Sequence, residues 1–329
     1  MSPLDNITRV VADSDLDGLM AAAVLKAAKP SIEVHFAHPA LIRAGSIDHL
    51  IDRNTAICDL PFHENCGLYL DHHQTNRPTK QQQILFEQSG GICHWRDTPS
   101  AARAAFDLMK DELDLSHLEE IMPLVDDLDS GGISLSEFME DGPVIRLSRS
   151  LSLKDKNHMQ VVLNQFAEGE SLDNIIASHQ ERLSKLATER DAQTELVRKN
   201  TTIVDKLAIC DLSETGSRSN GYLVTALAGS DAIACCVIHG FIDGTIDNPN
   251  RQALGASFYA NSFLDEENPY DLSKLATLLD ATGGGHANAC GCRVQPADKS
   301  REMLVETDKD YNLQKWLELW SKRDTLMRR

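Results

Sequence analysis

Through its first half the chain alternates short apolar runs with helix-forming stretches. Ile7–Ala12 is a β-branched run that ends in a cluster of acids, and Gly18–Leu25 behind it is rich in helix formers. Ile32–Ala37 alternates apolar and polar positions as a half-buried strand does. Ala56–Cys58 and Leu68–Leu70 are two further short strands, and each runs directly into an acid. Thr98-Pro99-Ser100 provides a start signal, with a serine cap, for a helix over Ala101–Met109. Strands alternating with helices in this order predict an α/β domain: a largely parallel sheet with helices on both faces.

From Lys154 to Asn200 the strand signal disappears, and mixed charges recur at helical spacing. This stretch reads as a helical linker between a first domain over 1–180 and a smaller C-terminal α/β domain over 200–329. The second domain opens with Thr201–Leu212, Gly221–Ile238 and Ala253–Ala260, all strand-like. A helix is predicted at Asp271–Leu279, then a glycine cluster, then a last strand at Asn288–Val294. The tail from Asp310 is amphipathic, with Leu313, Trp316, Leu317 and Trp320 on one face. That face either packs on its own domain or serves a homodimer.

Composition narrows the function. The chain has 329 residues with 42% hydrophobic and 25% charged, the balance of a folded globular protein. Its longest apolar stretches, Leu19–Leu25 and Ala232–Ile238, fall far short of the roughly 18 to 20 residues of a membrane span, so no membrane association is expected. No secretory signal is recognisable at the start, and eight cysteines without a Cys-x-x-Cys pair suit free thiols in a reducing cytoplasm. The net charge of −18 repels long polyanions, which excludes wrapping of long duplex DNA. With 5% aromatics an extended base-stacking platform is excluded too. A small phosphorylated substrate is compatible with this charge if metal ions supply the positive field.

The chemistry-bearing residues gather where strands end. Asp13, Asp15 and Asp17 alternate in Asp-Ser-Asp-Leu-Asp-Gly; Asp59 ends the third strand; Asp71-His72-His73 ends the fourth; Asp126, Asp127 and Asp129 follow later. Each acid alone suits a helix cap or a turn. So many in one crevice require cations, because like charges brought together in a poorly solvated site are unstable. Carboxylates with imidazole suit Mn²⁺ or Mg²⁺ better than a thiolate-seeking metal. His286, Cys290 and Cys292 make too sparse a set for a zinc site.

Asp-x-Asp-x-Asp-Gly, a lone strand-end Asp59, Asp71-His72-His73 and a later Asp together resemble the DHH phosphoesterase family. Gly283-Gly284-Gly285-His286 resembles the glycine-rich segment of the DHHA1 domain that accompanies it. The resemblance implies two Mn²⁺ ions, with Mg²⁺ as the alternative, in the first domain. Asp15 and Asp59 would hold the first, and Asp17, Asp59, His72 and Asp126 the second, with Asp59 bridging. His73 would sit near the scissile phosphate and Asp71 would orient the histidines. The family often carries a His at the position of Val11, and Asp13 is the residue expected to compensate.

In the second domain the resemblance gives Gly283, Gly284, Gly285 and His286 to a substrate phosphate. Tyr259 stands where relatives often carry an Arg; Arg251 is the leading replacement, with Arg293, Arg146 and Arg149 behind it. The implied activity is hydrolysis of a phosphoester of a small nucleotide, a dinucleotide or a short single-stranded oligonucleotide. Alternatives are exopolyphosphatase activity, pyrophosphate cleavage, and a non-catalytic nucleotide-binding scaffold.

Overall fold

A computed structural model describes residues 2–266, 268–294 and 308–329. The chain divides into two units. One comprises residues up to Ile133 together with Glu140–Thr188; the other comprises Ser134–Met139 together with Glu189–Arg329. The helix Gln180–Lys199 carries the chain from one to the other. The division therefore falls inside that helix, and a short earlier segment joins the second unit. None of the described helices is long and apolar enough to cross a membrane.

The first unit is built on five parallel strands: β1 (Arg9–Asp13), β2 (Glu33–Ala37), β3 (Thr55–Cys58), β4 (Leu68–Asp71) and β5 (Ile92–Trp95), in the order β2-β1-β3-β4-β5. Three of these strands are buried on both faces, which is why they appear as unbroken apolar runs. Val10, Ala12, Ala56, Cys58, Leu68 and Leu70 point into one core, shared with the helices Leu16–Ala28, Ala101–Met109 and Lys156–Ala167. Val11, Ile57 and Tyr69 point the other way, into a second core with Leu60 and Phe86. Ala12 lies opposite Cys58, and Cys58 opposite Leu70, so the C-terminal ends of β1, β3 and β4 are level. β5 gives little sequence signal: it is an edge strand whose Ile92 is exposed, and Cys93 and His94 interrupt its pattern.

The second unit holds a mixed sheet: β6 (Thr201–Val204), β7 (Leu207–Asp211), β8 (Ala234–His239), β9 (Gly255–Ala260), β10 (Gly284–Gly285) and β11 (Ala289–Arg293), in the order β10-β11-β9-β8-β7-β6. Among its described strands only β7 and β8 pair in parallel. Thr201–Leu212 is a hairpin rather than one strand, turned at Asp205 and Lys206, both at positive φ. Gly221–Ala228, expected as strand, is a helix; the Asn220 side chain caps it by accepting from Leu223 N. Only Ser273–Ala276 of the helix predicted at Asp271–Leu279 is α-helical. Trp316 and Trp320, on the helix Lys309–Trp320, are 1% exposed and fill the core of this unit against Phe258 and Tyr270. The tail face is therefore spent on its own domain, and its two tryptophans are not available to a homodimer.

Candidate metal centre

In this sheet the chain runs from β1 to β2 on one side and then to β3 on the other. The crevice outside the C-terminal ends of β1 and β3 is therefore the topological switch point where open α/β sheets bind ligands. Asp13 ends β1, Asp15 and Asp17 follow it, Asp59 comes directly after β3, and Asp71 ends β4. Ligand atoms of Asp13, Asp15 and Asp59 lie within 4.8 Å of one another. The same holds for Asp17, His72 and Asp129, and for Asp59, Asp71, His72 and His73.

Local structure fixes each side chain. Asp15 caps the helix Leu16–Ala28, accepting from Gly18 N at 3.0 Å. Asp17 is buried, and its carboxylate accepts from Ala101 N at 2.8 Å and Ala102 N at 2.7 Å, so a helix N-terminus anchors it. Asp59 sits at φ +58°, a left-handed conformation unusual for a residue with a Cβ. Its buried Oδ1 has no hydrogen-bond partner among the described residues, and lies 3.7 Å from His72 Nε2 and 3.4 Å from His73 Nδ1.

His72 donates from Nδ1 to Thr98 O at 3.0 Å, which in the neutral ring leaves Nε2 as the lone-pair nitrogen. Nε2 stands 3.2 Å from Asp129 Oδ2 and 3.4 Å from Asp17 Oδ2. Asp71 is fully engaged. Oδ1 accepts from His72 N at 2.8 Å and from His73 Nδ1 at 2.9 Å, and Oδ2 accepts from Tyr69 OH at 2.6 Å. It holds the His73 imidazole and the backbone amides of both histidines, while Thr98 O holds the His72 ring.

The electrostatics follow from this crowding. Burial first, and then Asp129 beside Asp17 and Asp17 beside Asp59, push both carboxyls well above the usual carboxylate range. Burial opposes a charge on His72, but the hydrogen bond to Asp129 and the nearby Asp17 and Asp71 outweigh it and push its pKa up to about 10. Burial likewise opposes the charge on Asp71, yet His73 and the hydrogen bond from Tyr69 hold its carboxyl below the usual range. Protons thus do in this arrangement what cations would otherwise do. Clustered carboxylates, a buried imidazole among them and the unpartnered Asp59 oxygen fit hard divalent ions.

Of the expected second set, Asp17, Asp59, His72 and Asp126, the structure gathers Asp17 and His72 with Asp129, while Asp59 groups with Asp13 and Asp15. Asp126 accepts from Ser100 Oγ at 2.6 Å and pairs with Arg103 at 2.9 and 2.5 Å, so its carboxylate is consumed. Asp129, one turn later on the helix Met122–Ser130, takes the place beside His72. Spacing alone does not separate these acids, because residues three apart share a helix face. The Ser100 and Arg103 side chains decide it. Val11 is a fully buried member of the sheet's second core, and Asp13 follows two residues later on β1.

In the second unit the structure assigns other work to the residues singled out for substrate. A Cβ at Gly283 would meet Ala276 O at 2.3 Å, and one at Gly285, where φ is +135°, would meet Ala289 O at 2.5 Å. These two glycines are required by the chain's own backbone. Gly284 pairs with Gly291 in β10–β11, and His286 closes the turn, donating from N to Ala289 O. Arg251, exposed, pairs with Asp243 and lies over Phe241. Arg293 is bound to Asp280 and Thr282, and Arg146 and Arg149 to Asp141. Tyr259 packs on Gly221, where a Cβ would lie 2.1 Å from its ring.

No protein-family model and no curated protein matches the chain. Solved structures do. PggH, a pGpG-specific phosphodiesterase from Vibrio cholerae, is 20% identical with a TM-score of 0.60, over 97% of this chain and 99% of that one. RecJ from Thermus thermophilus in complex with Mn²⁺ is 14% identical with a TM-score of 0.50, over 98% of this chain and 53% of that one. The chain spans about half the length of that RecJ. With the Asp13–Gly18, Asp71-His72-His73 and Gly283–His286 signatures on elements of this architecture, the chain has the fold of the DHH phosphoesterases.

Proposed function

We propose that the protein is a divalent-metal-dependent phosphodiesterase acting on a small nucleotide, with a linear dinucleotide or short oligonucleotide as substrate and Mn²⁺ as the preferred ion. The observation that carries this is the pair of three-residue ligand groups, Asp13/Asp15/Asp59 and Asp17/His72/Asp129, at the switch point of the sheet. When bound, two such ions lower the pKa of water and neutralise charge on the phosphoryl oxygens. Asp17 is pre-oriented by the Ala101 and Ala102 amides, and His72 by Thr98 O, so neither has to reorganise. His73 is tied through Nδ1 to Asp71, which fixes its ring beside the Asp59 carboxylate, where a scissile phosphate would lie. The dinucleotide specificity named for PggH supports the choice of substrate class. The net charge of −18 supports a small substrate over a long polyanion.

The test is release of mononucleotide from a 5′-phosphorylated dinucleotide by chelator-stripped protein, with and without Mn²⁺. Hydrolysis restored by Mn²⁺ and lost in Asp71→Ala/His72→Ala supports the reading. Hydrolysis confined to polyphosphate or pyrophosphate moves the substrate. Silence on all of them, with no thermal stabilisation by Mn²⁺, leaves a scaffold.

A further inference from the structure

Next to the metal centre, on the adjoining strand, lies an arginine whose charge the fold leaves unspent. β5 ends at Trp95, which is opposite Asp71 in the parallel register. Its indole Nε1 donates to His73 O at 3.0 Å, so the ring is tied to the Asp71-His72-His73 segment itself. The Arg77 guanidinium lies over this ring, 4.3 Å from its centroid. The backbone beneath it is fixed from both sides. Asn76 N donates to His73 O at 3.2 Å, and Pro78 restricts Arg77, which sits at φ −59° and ψ 121°. The guanidinium makes no hydrogen bond and no ion pair among the described residues.

Other arginines of this unit are spent. Arg9 and Arg53 donate to the carbonyls of Leu50 and Cys66, Arg103 binds Asp126, Arg146 binds Asp141 and Arg182 binds Asp155. Stacking uses only the face of a guanidinium. Its N–H donors lie in the plane and stay free for an anion, in the fork that matches a phosphate. The aromatic ring limits rotamer freedom, so less ordering is needed on binding. The ring beneath this cation is bonded to His73 O and its residue faces Asp71 in the strand register, so the cation rests on the segment that carries His73.

We propose that Arg77, held over the Trp95 ring, grips the terminal, non-scissile phosphate of a 5′-phosphorylated dinucleotide and sets the preference for it over the 5′-hydroxyl form. This rests on the phosphodiesterase reading above and adds a specificity-determining residue to it. Arg77 supplies, inside the first unit, the anion contact that Arg251 and Arg293 do not supply in the second.

The experiment compares Mn²⁺-loaded wild type, Arg77→Gln and Arg77→Lys on 5′-phosphorylated diadenylate and on its 5′-hydroxyl form. Calorimetric titration with AMP and with adenosine is run alongside. Wild type should prefer the phosphorylated substrate. Arg77→Gln should lower that preference at least about tenfold, through KM with kcat nearly unchanged, as expected for a lost charge-assisted hydrogen bond. Arg77→Lys should keep part of it, and AMP should bind Arg77→Gln no better than adenosine does. An unchanged preference in Arg77→Gln, or equal losses on both substrates, overturns the proposal. If wild type cleaves neither dinucleotide, the phosphodiesterase reading fails. The Arg77 assignment is then decided by the titration alone: an AMP-over-adenosine difference abolished in Arg77→Gln upholds it, and none refutes it.

Discussion

In the first unit, Asp17, Asp59, His72 and Asp129 are drawn together at the ends of parallel strands, and a buried oxygen of Asp59 is left without a hydrogen bond among the described residues. In the second unit, polar residues of equal promise are closed off by neighbours: Arg251 by Asp243, Arg293 by Asp280, and the glycines by the carbonyls of Ala276 and Ala289. The difference comes from topology. A parallel sheet delivers the C-terminal ends of its strands to one edge, where consecutive loops place side chains facing one another across the switch point. An antiparallel hairpin such as β10–β11 turns its loop back on itself. Its polar groups and tight backbone then serve the turn. Reactive capacity in this protein follows strand direction more closely than residue type.

The sharpest way to break that comparison is to remove the shared carboxylate. Asp59→Asn is isosteric and takes one of several mutually repelling acids out of a buried cluster. The metal-free protein should therefore be at least as stable as wild type in a thermal melt. Its Mn²⁺-dependent activity should fall by more than about 100-fold, and the thermal stabilisation on adding Mn²⁺ should shrink. A variant that keeps both activity and stabilisation would remove Asp59 from the metal centre.

Asp126 and Asp129 offer a test within one helix. Asp129→Asn should lower kcat by about 10- to 100-fold with little effect on folding. Asp126→Asn should instead cost stability, because the amide keeps a single acceptor oxygen for Ser100 and Arg103 and loses the charge that pairs with Arg103, and should leave kcat close to wild type. The reverse pattern would restore Asp126 as the ligand.

Gly285→Ala probes the second unit. The new Cβ meets Ala289 O at 2.5 Å, and φ is +135°, so about 2 kcal/mol of destabilisation is expected in urea unfolding. Mn²⁺ binding should not change. A stable variant with a raised KM would return Gly285 to a direct substrate role.

What can be read from the chain divides along the same line. The doubly buried strands β1, β3 and β4, and the acids at their ends, are visible because burial on both faces writes an apolar run and the acid punctuates it. The serine-capped helix Ala101–Met109 is visible because Ser100 and the alanines agree locally. Edge strand β5 is not, because an exposed strand carries no such run. The helix Gly221–Ala228 reads as strand, since a short run of Leu, Val and Ala suits either state and Asn220 alone marks its start. Asp129 is not separable from Asp126 without the long-range partners Ser100 and Arg103. Trp95 and Arg77, 18 residues apart, acquire meaning only when β5 is placed beside β4.

The smallest expected effect lies away from both candidate sites and checks that the first unit's burial of titratable groups extends beyond the acids around Asp59. His158 is buried on the helix Lys156–Ala167, with Nε2 2.7 Å from Ser150 Oγ and the His179 ring packed edge-on at 4.9 Å. Burial, then Arg182 and His179, lower its pKa from 6.5 to about 4. The folded state thus holds the ring neutral, while the unfolded chain takes up a proton as pH falls below 6.5. The unfolded state binds more protons in that window, so stability is full above about pH 6.5 and is lost progressively toward pH 4. The shift corresponds to a loss on the order of 3 kcal/mol at most, and neighbouring carboxyls that titrate in the same range will overlap it. His158→Gln should flatten the urea-unfolding free energy between pH 6.5 and 5 relative to wild type, with Mn²⁺ binding at pH 7.5 unchanged. If wild type and variant fall in parallel, His158 is already protonated in the fold, and the burial that distinguishes the first unit's core would be confined to the acids around Asp59.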